Sequence, residues 1–88
     1  MALFDASKAN YSDMAAIGNP QILFELGLIY ATGRDGELDM VAAHKWFNIA
    51  AFRGSEAAKS RREEIAKDMT REEVATAQRA AREWITQH

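Results

Sequence analysis

The sequence predicts an all-α fold, a short α/α solenoid of helical hairpins with about five helices in 88 residues. Three observations predict it. The chain has a single proline, abundant alanine and no alternating strand-like run. Gly18, Gly33, Gly36 and Gly54 fall where apolar stripes of helical spacing stop. Residues 11–22 are echoed 36 positions later by residues 47–58: Tyr11 falls on Phe47, Ala15 on Ala51 and Gly18 on Gly54. A fixed period in this range marks stacked helical hairpins, units that present surface.

The elements follow in order. A first helix is expected over about residues 3–16, stopping at Gly18, because glycine tolerates the left-handed turn past a helix end. Asn19 then caps a second helix with Pro20 at its first position, where the missing N–H costs nothing. Ile22, Leu23, Leu26, Ile29 and Tyr30 give this helix the 3, 4, 7, 8 spacing of a buried stripe. Gly33 and Gly36 set a loop. Asp39 caps a third helix carrying Ala42, Ala43, Trp46, Phe47, Ala50 and Ala51, which ends at Gly54. Ser55 caps a fourth, about Glu56 to Lys67. Thr70 opens the fifth, with Glu73 three residues on as a capping box. Its stripe is Val74, Ala77, Ala81, Trp84 and Ile85.

The fourth helix breaks the echo. Leu26, Gly27 and Tyr30 would map onto Arg62, Glu63 and Ala66. The stretch Lys59–Asp68 is charged instead, with Lys59–Glu63 and Glu63–Lys67 at i, i+4 spacing. A polar outer helix is what the end of a solenoid requires. The chain divides into residues 1–18 (a half repeat), 19–54 (a full repeat) and 55–88 (closing helices). A chain this small buries roughly 60% of its unfolded surface, for a stability of about 3–5 kcal/mol.

Composition excludes several function classes. Acidic residues number 13 and basic residues 11, so no basic excess points to nucleic acid. No apolar run approaches the ~18 residues of a membrane span. Asp5 and Lys8 stand where an exported chain would carry an apolar leader core. Without cysteine there is no disulfide and no thiolate metal site. The chain reads as cytoplasmic. His44 has Asn48 at i+4, so it belongs to no two-histidine metal helix. Asp35, Glu37 and Asp39 are spaced like the start of a calcium loop, but the glycine comes too early and no glutamate closes the twelfth position. No phosphate loop is present. No cofactor is expected, and the chain reads as not an enzyme.

The residues Ile22, Leu26-Gly27, Tyr30, Gly33, Asp39, Ala42-Ala43, Trp46-Phe47, Ala50-Ala51, Gly54 and Ala58 resemble the Sel1-like repeat, a tetratricopeptide relative of about 36 residues. The likeness covers about residues 11–58 without a gap. Ile22 stands where the family has Ala, and Asp35-Gly36 replace its loop Gly and Val. Residues Ile65 to Trp84 resemble the closing helix that follows such repeats in bacterial proteins. The resemblance implies an α/α solenoid acting as an adaptor or scaffold. It also implies structural roles: Gly27 for close helix contact, Tyr30 and Trp46 filling the core, Ala43 and Ala50 letting helices approach.

Against that pattern, three apolar residues stand where the family carries polar ones: Ile17, Leu23 and Phe52. Such a cluster marks a contact surface, and Glu25, Arg34 and Arg53 are its polar neighbours. The second candidate is the tail, Trp84-Ile85-Thr86-Gln87-His88. The expected activity is binding of another protein by an adaptor or regulator. The alternative is a substrate and regulator of an ATP-dependent protease such as Lon, with the tail as degron; a chaperone is a partner of the same kind. A further alternative is a piece of a longer scaffold. Fewer than two repeats are present, so either the first and fifth helices cap both ends or the chain pairs with itself or a partner, with Leu3, Phe4 and Ala6 as candidates for an end-to-end contact.

Overall fold

The computed structural model describes residues 18–88. The helix expected over about residues 3–16 lies outside them, as do Ile17, the Leu3–Phe4–Ala6 contact and the first half of the 36-residue echo up to position 17. Among the described residues there are four helices and no strand: α1 (Pro20–Thr32), α2 (Met40–Phe52), α3 (Glu56–Ala66) and α4 (Arg71–Gln87). They are the last four of the expected five.

Each start is dictated locally. Asn19 accepts from the backbone N–H groups of Gln21 and Ile22, Asp39 from Ala42 and Ser55 from Ala58. Each satisfies N–H groups that a helix start leaves unpaired. Thr70 and Glu73 form the reciprocal capping box: Thr70 Oγ1 accepts from Glu73 N–H at 3.0 Å, and Glu73 Oε1 from Thr70 N–H at 2.8 Å. The echoed glycines share a conformation. Gly18 has φ 83° and Gly54 φ 110°, a region in which a Cβ is strained, so each permits a turn between helices. The α1–α2 loop closes on itself, with Asp39 N–H donating to Tyr30 O at 3.0 Å.

α2 is the centre of the fold and packs against α1, α3 and α4. Its buried face carries Ala43, Trp46, Phe47, Ile49 and Ala50. Opposite it, α1 buries Leu23, Leu26 and Ile29, while α3 brings Ala58 and Ile65, and α4 Ala77 and Ala81. Gly27 is buried against Phe47, where a Cβ would lie 2.4 Å from the ring. Phe24 covers the same ring, centroid to centroid 5.6 Å. Trp46 meets Trp84 edge-on at 5.8 Å, which ties α4 to α2.

Three expectations are corrected. Leu23 is fully buried, so it is core and not contact surface; it lies one turn before Leu26 and Gly27, on the face that meets α2. Tyr30 is half-buried and packs at the edge of the core instead of filling it. On α3 the ion pair among the described residues is Arg61–Glu64 at 4.0 Å, at i, i+3, in place of the two i, i+4 pairs. Lys59, Arg61, Glu63, Glu64 and Lys67 are all exposed, and exposed pairs of this kind exchange at little cost.

Candidate interaction surface

The site starts from the end of α2. A helix repeats its faces every three to four residues, so His44, Asn48 and Phe52 form one stripe along α2. His44 and Asn48 lie toward α3 and α4. Phe52, on the last turn, projects beyond the packed region and is 65% exposed. On α4, Ala81 and Ile85 lie on one stripe, with Gln78, Arg82 and Thr86 beside it. The two helices enclose a cleft of about 420 Å³. Phe52, Ala81 and Ile85 supply its apolar surface; Asn48, Gln78, Arg82 and Thr86 supply its polar rim. Arg62 reaches it from α3, with Nη1 donating to Asn48 Oδ1 at 2.8 Å. The lining has cationic and neutral groups and no carboxylate.

His44 lies at the buried end of this stripe. It is 2% exposed, and its Nδ1 has no hydrogen-bond partner among the described residues. Burial, reinforced by the nearby Arg62 charge, holds its pKa below 6.5, and its own backbone opposes weakly. The ring is therefore neutral near pH 7. Beside it, partial burial lowers the Lys45 ammonium below its usual range, with Glu83 opposing; Lys45 Nζ lies 4.4 Å over the Trp46 ring.

The second candidate is not a loose tail. α4 continues to Gln87, and Trp84 and Ile85 are half-buried against the core. The His88 ring stacks on Trp84 at 4.1 Å and 11°. Arg53 lies above the same indole, 5.8 Å from its centroid, and its Nη2 donates to His88 O at 3.4 Å. A Cβ on Gly18 would come within 2.8 Å of Arg53 Nη1, so this guanidinium joins the start of α1 to the end of α4. Arg53 Nε is buried without a partner among the described residues.

The expected site residues thus separate. Phe52 and Ile85 meet in the cleft. Arg53, Trp84 and His88 form a neighbouring cluster. Glu25 and Arg34 pair with each other at 3.2 Å across the α1–α2 loop, apart from both. Leu23 is core, and Ile17 is outside the described residues. Sequence reasoning missed Asn48, Gln78 and Arg82, and named Thr86 only as part of the tail. The signal was the polar 78-82-86 stripe flanking the apolar one, which reads as ordinary solvated surface until α4 is docked on α2.

Comparison with family models, curated proteins and solved structures yields no match. Among the described residues no group of three His, Cys, Asp or Glu could hold a metal ion. No helix among them is long and apolar enough to cross a membrane.

Proposed function

We propose that this chain is a non-catalytic protein–protein interaction module of Sel1-like kind, a small adaptor or regulator of the bacterial cytoplasm. Its partner docks in the cleft between α2 and α4, with Phe52 as the anchor. The exposure of Phe52 carries this reading. A large aromatic ring left in water beside a half-buried isoleucine is stabilised when a partner covers both. Arginine and aromatic side chains are frequent interface anchors.

The test is a photo-crosslinking residue at position 52, with a control at the exposed Glu72, in cell lysate. An adduct at 52, absent at 72 and displaced by excess wild-type chain but not by Phe52→Asp, supports the cleft. Absence of any adduct at 52 overturns it.

The protease-regulator reading takes the last turn of α4 as the recognised element. Its support is that His88 lies exposed at the end of α4, where its ring stacks on Trp84. Truncation after Glu83 does not separate the two readings, because it removes Ile85 and Thr86 from the cleft wall and Trp84 from the core. His88→Asp does separate them. It leaves the cleft lining intact, so binding survives in the cleft reading and is lost in the tail reading.

A further inference from the structure

We infer that the cleft accepts a second copy of this chain, which inserts the Leu38 side chain of its α1–α2 loop. The inference rests on the cleft being a docking site and names its occupant. Among the described residues, the large apolar side chains most open to water are Leu38 (67%) and Phe52 (65%). They flank α2: Leu38 precedes its cap and Phe52 is its last residue. At 1.5 Å per residue the two lie roughly 20 Å apart along the axis. Leu38 of one molecule therefore does not reach its own cleft.

Charge complementarity selects the copy. The loop around Leu38 carries Asp35 and Asp39; Asp39 caps α2, and Arg34 is paired with Glu25. The loop thus presents a leucine in a negative field. The cleft presents an apolar surface with the Arg82 guanidinium on its rim and Arg62 behind Asn48. Leu38 entering between Phe52 and Ile85 brings these acidic groups to Arg82. Plug and socket occupy opposite ends of one helix, so the contact is heterologous and propagates head to tail. One leucine and a polar rim make a small interface, in the class of weak encounters. Assembly is then concentration-dependent and salt-sensitive, and it competes with any other protein for the cleft.

The test is sedimentation velocity of the full chain from about 10 μM to 1 mM in 50 mM and 500 mM salt, conditions spanning the range over which screening removes exposed charge attraction. The expected result is a weight-average mass that climbs past twice the monomer at low salt and falls back at high salt. Leu38→Asp and Phe52→Asp each remain monomeric, and mixing them restores a 1:1 complex, because one keeps the socket and the other the plug. Arg82→Glu weakens assembly with both apolar residues in place. Circular dichroism checks that each variant is folded. A monomer throughout, a plateau at the dimer, or a mixture of the two variants that stays monomeric overturns the inference. A monomeric chain whose position 52 still crosslinks to a different protein overturns only self-docking; a monomeric chain with no adduct overturns the cleft as well.

Discussion

Gly27 lies so close to Phe47 that a Cβ on its backbone would stand 2.4 Å from two carbons of the ring. Phe47 is fully buried, and its ring also meets Phe24, one turn before Gly27 on α1. It has no room to retreat. Gly27→Ala therefore destabilises the fold, even though alanine is the better helix former by ~1 kcal/mol. Overpacking costs about 1–3 kcal/mol, and the net loss shows as a lower urea midpoint. A midpoint equal to wild type or higher would mean that α1 and α2 are not this close.

Phe52 and Leu23 respond oppositely to the same change. Phe52→Asp alters stability by no more than about 0.5 kcal/mol, since the ring is mostly in water. Leu23→Asp places an unpaired charge in the core and abolishes cooperative unfolding. Thermal melts of the two variants check both. A Phe52→Asp chain that fails to fold would show that the ring is packed.

His44 makes stability depend on pH. Its folded-state pKa lies below 6.5 because of burial and the Arg62 charge. The unfolded chain then takes up the proton first as pH falls. Its neutral form contributes full stability above 6.5, and that contribution is lost as pH falls from 6.5 through the folded pKa. The slope for one proton is at most about 1.4 kcal/mol per pH unit. His44→Leu removes this component of the slope. Urea titrations at pH 7.5, 6.5 and 5.5 of both chains measure it, and equal slopes would rule out the buried neutral imidazole.

Trp84 bridges the core and the last turn of α4. Trp84→Ala removes its edge contact with Trp46, the stack under His88 and the platform below Arg53. A half-buried indole gives a loss smaller than the about 3–5 kcal/mol of a fully buried one. His88→Ala removes the stack and the contact of the ring Nδ1 with Trp84 O at 2.9 Å. It leaves the urea midpoint near wild type and speeds amide exchange at Ile85–Gln87. Exchange unchanged at those amides would show that the stack does not hold the turn.

Thr70 tests the capping box. Thr70→Ala removes the acceptor for Glu73 N–H, and such losses cost about 1 kcal/mol. Chemical denaturation reads the difference, which vanishes if α4 starts elsewhere.

Much of the fold was legible because its determinants are local. Asn19, Asp39, Ser55 and Thr70 each cap within three residues of themselves, and Gly18 and Gly54 each accept a backbone that other residues resist. The four described helices therefore start where short-range chemistry places them. The buried stripes of α1, α2 and α4 were legible for a similar reason, since helical period converts spacing into a face. The burial of His44 and Ile49 was not legible because α2 is enclosed on three sides, and a helix so surrounded buries residues beyond one stripe.

The sequence by itself determined the helices, their caps and the aromatic and small residues that form the core. Only the tertiary structure decided which apolar residues face water. Leu23 and Phe52 both stand where the resemblance expects a polar residue, and only Leu23 also falls on a stripe of buried spacing. One faces α2 and is fully buried; the other ends α2 past the reach of its neighbours and remains in water. That difference depends on how α1 and α4 dock on α2, contacts between residues far apart in sequence that no local pattern encodes. The cleft has the same origin, for Asn48 and Phe52 meet Arg82 and Ile85 only because Trp84 on α4 packs against Trp46 on α2.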